Sequence, residues 1–255
     1  MDTSAFIFLH VTAGTTALLS GGTALLVRKG EPVHRLAGNV FLVAMVLMCA
    51  GAIPVAIARQ QTLNIAAASF TLYLLATSWR AATRNDGESG SSERVAFFTG
   101  MGIAAGALAY GALGPRDAAP FFYAFGSLAA FAALMDLTVI IRKGVSGAQR
   151  IARHLWRMSL AMLIATASFF IGQPKFVPGV VRDANLHFVP VIAVMALLLF
   201  WLLRVLLTRW ADHTYGSTPN MNAPTADQVE LGGSLESRQD FVITHRYLHQ
   251  RGEPR

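Results

Sequence analysis

A chain of 255 residues with 54% hydrophobic and only 14% charged side chains, and a mean hydropathy of +0.47, carries too much apolar surface for a soluble domain. Its formal charge of +7 comes without a basic–aromatic surface, which excludes nucleic acid as a partner; topology and lipid headgroups account for the excess. One cysteine, Cys49, excludes a disulfide framework and any multi-thiolate metal or iron–sulfur site.

A spanning helix takes roughly 20 mostly apolar residues, and seven such stretches follow one another at 5–27, 33–58, 63–83, 95–114, 118–141, 151–172 and 186–208. The chain therefore reads as all-α: a polytopic transmembrane bundle of seven spans over residues 1–208, then a mostly disordered tail over 209–255. The first stretch is a retained helix and not a secretory signal, because Met1-Asp2-Thr3-Ser4 lacks a positive start and the run to Val27 is too long. His10 lies inside it, on a face with Gly14, Ala17 and Gly21. The second opens at Glu31-Pro32, where proline suits the first turn, and brings in His34 on a stripe with Gly38, Phe41 and Met45.

In the fourth, Gly102 and Gly106 have the small-xxx-small spacing of close helix contacts. The fifth holds Asp136, the only carboxylate well inside a span, on a face with Ala129, Ala132 and Ala133. Ser146 to Gln149 has capping-box spacing and starts the sixth helix ahead of its apolar stretch. That leaves His154 about two turns in, on a face with Met158, Ala161, Ala165 and Ser168, beside Arg153 and Arg157. Asp183 or Asn185 is the cap expected for the seventh helix, with His187 in its first turn; the companions Val191, Val194 and Leu198 leave its direction open. The tail has turn and linker composition, with one short surface helix expected over Asp240 to Gln250 and with His213, His245 and His249 too scattered for a metal site.

Basic loops stay cytoplasmic. Of the 21 lysines and arginines, an outside N-terminus leaves only Arg59, Arg116, Lys175 and Arg182 on the outer side, so the tail is cytoplasmic.

An unpaired carboxylate at the depth of Asp136 is costly, so it is protonated or partnered, and Arg153 and Arg157 lie at similar depth. Two roles stay open: an inner-rim ion pair fixing the fifth helix against the sixth, or a proton-relay or substrate-binding carboxylate. The histidines form two tiers, His10 and His187 near the outer face and His34 and His154 near the inner. Neutral imidazole ligates haem iron, and a b-type transmembrane cytochrome needs such ligands on facing helices. His34 with His154 would form an inner haem b site and His10 with His187 an outer one, giving a transmembrane electron carrier.

The same groups, with Asp136, would equally line the path of a proton-coupled small-solute transporter. In a non-catalytic membrane subunit each histidine would be a hydrogen-bonding or snorkelling group. The partners implied are the lipid bilayer and either a redox protein or a small solute; enzymatic activity and oligomeric state stay open. A retinal protein is excluded, since none of Lys29, Lys143 and Lys175 falls within a span. Val27-Arg28-Lys29-Gly30 recurs as Ile141-Arg142-Lys143-Gly144, each followed by a histidine entering the next span, which suggests a parallel duplication; His10 has no counterpart, because Ala124 stands there.

Leu9-His10-Val11-Thr12-Ala13-Gly14, then Arg28-Lys29-Gly30 with His34-Arg35-Leu36-Ala37-Gly38, and Arg153-His154 with Arg157-Met158 resemble an uncharacterised bacterial family of predicted multi-span membrane proteins, a domain-of-unknown-function family. The resemblance covers roughly the first 205 residues. It implies the bundle architecture and a multi-pass protein of the bacterial inner membrane, and it singles out His10, His34 and His154 without supplying an activity. The histidine layout is also distantly similar to that of two-haem b-type transmembrane cytochromes.

Overall fold

A computed structural model describes residues 3–83, 90–145 and 147–207, and no strand occurs among them. Seven long helices follow in chain order: α1 (Ser4–Leu26), α2 (Pro32–Ala58), α3 (Thr62–Thr83), α4 (Ser91–Leu113), α5 (Ala119–Ile141), α6 (Gly147–Phe170) and, after a short helix α7 (Gly179–Asp183), α8 (Val189–Leu207). Two 3-10 turns, Pro174–Phe176 and Leu186–Phe188, flank α7. The tail, its expected short helix and its three histidines lie outside the described residues.

Two tight antiparallel hairpins, α1–α2 and α4–α5, flank a central pair formed by α3 and α6, and α8 packs on α6. Small residues permit this closeness. On α4 the buried residues Gly100, Ala104, Ala107 and Gly111 recur at helical spacing. They meet a matching series on α5, Phe122, Gly126, Ala129 and Ala133. Gly102 and Gly106, expected to make that contact, instead point outward, with open space where a Cβ would sit. In the first hairpin a Cβ at Gly51 would lie 2.8 Å from the Phe6 oxygen and 3.0 Å from the His10 nitrogen, so α1 and α2 touch backbone to backbone.

Five helical segments are long and apolar enough to cross a membrane: α1, α2, α4, α5 and Leu186–Leu207. The expected third and sixth spans, α3 and α6, have 22 and 24 residues and therefore the required length. They are too polar to join the five. The reason is their position. Only a face turned to lipid must be apolar, and these two helices bury Thr71, Thr77, Ser78, Arg157, Ser159 and Thr166 against neighbouring helices. The outer helices do the reverse, exposing Phe8, Leu19, Val43, Phe98, Phe131, Leu199 and Phe200. A soluble protein would not tolerate that surface; a bilayer requires it.

The capping box expected from Ser146 lies outside the described residues; Gln149 accepts a hydrogen bond from the Arg142 guanidinium at 3.2 Å. One helix end differs from expectation. His187 sits in the 3-10 turn before α8 and not in the first turn of the helix, and Asn185, in left-handed backbone with φ 56°, makes no side-chain cap.

Candidate functional site

The inner-tier histidines His34 and His154 are brought to one cleft, walled by α1, α2, α6 and α8. Gly21, Leu25, Phe41, Met158, Met162 and Trp201 make it largely apolar, and it encloses about 100 Å³. Ligand clefts usually measure roughly 300–1,000 Å³, so this one would have to open to take a large cofactor. One turn beyond His34, Gly38 lines the same cleft with nothing within 4 Å of where its Cβ would be.

Each imidazole is held by its Nδ1. His34 Nδ1 lies 3.0 Å from the Ala24 carbonyl oxygen. A carbonyl only accepts, so Nδ1 carries the proton and Nε2 keeps its lone pair when the ring is neutral. Ala24 is in the last turn of α1, where helix carbonyls have no N–H partners of their own. Lys29 serves the same end, its ammonium donating to Ala24 O at 2.9 Å, Leu25 O at 2.7 Å and Val27 O at 3.3 Å. It also sits 4.5 Å from the centroid of the Trp201 ring. Burial pulls this ammonium down to about 8. Gly30, with φ 85°, supplies the left-handed residue that turns the chain from α1 into α2.

His154 is fixed to α3. The Ser78 hydroxyl donates to the His154 carbonyl at 2.9 Å. With its only proton committed there, the Ser78 oxygen, 3.0 Å from His154 Nδ1, accepts. Ser78 O lies 3.2 Å from the same nitrogen. His154 thus has the same tautomer as His34, with Nε2 as its free donor. Ser78 is fully buried.

Farther along the same α3–α6 seam, Asp136 of α5 accepts from three side chains: Tyr73 Oη at 2.5 Å, Arg153 Nη2 at 2.5 Å and Arg157 Nη2 at 2.6 Å. Arg157 also donates to Ala132 O at 2.9 Å, and its guanidinium carbon lies 5.5 Å from the Tyr73 ring centroid. Asp136 and Arg157 are both fully buried. Glu93, at the start of α4 and buried, adds its negative charge to the field at Arg153. A carboxylate so surrounded is a lock between α3, α5 and α6. Tyr73 and Ser78 were not singled out from sequence; α3 is rich in Thr, Ser and Tyr, but so are other helices in Ser and Thr, and nothing local marked these two.

The outer-tier histidines are not joined. His10 Nδ1 is 2.9 Å from the Met48 carbonyl of α2, inside the first hairpin. His187 packs its ring on Phe188 with centroids 4.1 Å apart. No hydrogen bond links the two, and neither lines the His34–His154 cleft. Among the described residues no group of three or more His, Cys, Asp or Glu converges on a metal-sized site. A second, shallower and wider opening at the far end, about 340 Å³ and lined by Gln60, Gln61, Asn64, Tyr110 and Phe122, contains no histidine.

Comparison of the chain with known protein families, with curated proteins and with solved structures finds no match.

Proposed function

We propose that the protein is a seven-span integral membrane protein of the bacterial inner membrane, N-terminus out, that binds one b-type haem between His34 and His154 and works in electron transfer. The observation that carries this is the pair of imidazoles on one apolar cleft, each with Nδ1–H committed to an acceptor and Nε2 left as a donor. That tautomer, fixed from behind by a carbonyl, is the form in which histidine ligates a metal. The apolar lining is of the kind that holds a macrocycle, but the cleft encloses about 100 Å³ and would have to open to admit one.

When bound, the haem would supply a one-electron couple, and the chain's residues would do the rest. His34 and His154 would hold it, Ser78 and Ala24 would set their tautomers, and Phe41, Met162 and Trp201 would keep water away. Orientation is supported by the ring of basic residues at one end of the bundle, Arg28, Lys29, Arg35, Arg80, Arg142, Lys143 and Arg150. The outer pair, His10 and His187, has no comparable support, and one haem is proposed.

An absorption spectrum of the detergent-purified full chain, oxidised and reduced, tests the reading. A b-type spectrum that disappears in H154A supports it. A colourless protein that takes up no added haem overturns it.

A further inference from the structure

We propose that the Asp136 cluster is a binding site for one small inorganic anion, a halide, held at the edge of the Arg157 guanidinium where α3, α5 and α6 meet.

The carboxylate is fully used and the arginines are not. Asp136 Oδ1 accepts one N–H from Arg153 Nη2 and one from Arg157 Nη2, while Oδ2 accepts the Tyr73 hydroxyl. Two guanidiniums thus share one negative charge through a single oxygen. Arg157 Nη2 also donates to the Ala132 carbonyl at 2.9 Å. The Nε and Nη1 of Arg157, and the Nε of Arg153, are buried and meet no acceptor among the described residues. A guanidinium cannot shed its proton to escape this, as a buried lysine can.

The surroundings define what is missing. The Arg157 guanidinium carbon lies 5.5 Å from the Tyr73 ring centroid and 5.1 Å from that of Trp156. A ring face attracts the cation without giving its edge N–H groups an acceptor. Glu93 lends its field to Arg153, but its Oε2 accepts from the Gly90 N–H at 2.8 Å and the Ser92 hydroxyl at 3.0 Å, at the start of α4.

Size and charge select the guest. Asp136 and Arg157 are both 0% exposed, a setting that admits nothing larger than a water molecule or a monatomic ion. A water would accept the N–H bonds. A halide would accept them and also answer the second positive charge, which is the costlier of the two to leave unanswered in the interior. Bound there, it is a further member of the lock that joins α5 to α6. None of these residues lines the His34–His154 cleft, so the site is independent of haem.

The test uses the full chain in detergent, with chloride exchanged for gluconate at constant ionic strength, and reads the thermal unfolding midpoint. Raising chloride about 100-fold should raise the wild-type midpoint and then level off, as a ligand of the native state alone does, and bromide should act likewise. Arg157→Lys keeps a cation for Asp136 but has neither Nε–H nor Nη1, and should lose the response. Arg182→Gln, at an exposed position, should keep it. A wild-type midpoint that ignores chloride overturns the proposal in favour of water, and an equal response in R157K overturns it in favour of a general salt effect. Where R157K fails to fold, crystals of the wild-type chain soaked in bromide decide. Anomalous density within hydrogen-bond reach of Arg157 Nε or Nη1 supports the site, and a water or no peak there overturns it. Bromide density without a chloride response is an adventitious ion only and overturns it as well.

Discussion

Ser78 and His154 hold each other reciprocally: the serine hydroxyl donates to the histidine's main-chain oxygen, and the histidine's Nδ1–H donates back to the serine. The exchange joins α3 to α6 at a point where both are shielded from lipid. Ser78→Ala keeps the main-chain acceptor and therefore the tautomer, but removes the hydroxyl bridge and leaves the His154 carbonyl one partner short. The expected loss is about 1–2 kcal/mol, read as a lower midpoint in thermal or denaturant unfolding in detergent.

Asp136 carries more. Two guanidiniums and a phenol converge on it, and the carboxylate is fully buried. Asp136→Asn preserves shape but leaves two buried cations facing a neutral amide, and removing one side of a buried pair costs about 3–5 kcal/mol. Tyr73→Phe takes away a single donor and should cost about 1 kcal/mol. Replacing the acid and both bases together, as D136L/R153M/R157M, should recover much of the D136N loss, because no charge is then stranded. If D136N unfolds at the wild-type midpoint, the cluster is not a structural lock.

Two glycines should respond in opposite ways. Gly51→Ala places a methyl 2.8 Å from the Phe6 oxygen and must push α1 from α2, so it lowers the unfolding midpoint. Gly38→Leu enters open space and should leave the midpoint unchanged while filling the cleft. Haem uptake by G38L should then fall although both histidines remain.

Lys29 gives the pH dependence. Its ammonium is held at about 8 by burial, against 10.5 in the unfolded chain. Between those values the unfolded chain binds the proton more strongly, so stability rises with pH from about 8 to 10.5 and is level below 8, where both states are protonated. The difference in midpoint between wild type and Lys29→Met should therefore move in favour of the wild type from pH 8 to 10. A difference that stays constant over that range would mean the ammonium is as well solvated in the fold as outside it.

Apolar run length was enough to read seven helices from the sequence, and helical spacing was enough to turn Ala17 and Gly21, Ala161 and Ala165, and Ala129, Ala132 and Ala133 inward. The nearness of Arg153 and Arg157 to Asp136 was legible because all three sit near one end of consecutive helices. Tyr73 and Ser78 were not, since their role depends on α3 lying beside both α5 and α6, a long-range fact that no local pattern encodes. The α4 contact was misread for a related reason. Gly102-xxx-Gly106 and the Gly100, Ala104, Ala107, Gly111 series are both small-residue stripes on one helix, and only the position of α5 selects between them. His10 and His34 make the same kind of bond to a main-chain carbonyl, yet only His34 reaches a cavity shared with another histidine.

The polarity of α6 also constrains how the protein is made. As a span, α6 would not enter lipid by itself, because Arg153 and Arg157 near its start find their partner on another helix. It would need α5 beside it, since Asp136 takes both arginines. The same groups that lock the finished bundle therefore make its biogenesis cooperative, and a substitution at Asp136 should show as a chain held back at the translocon before it shows as a weakened fold.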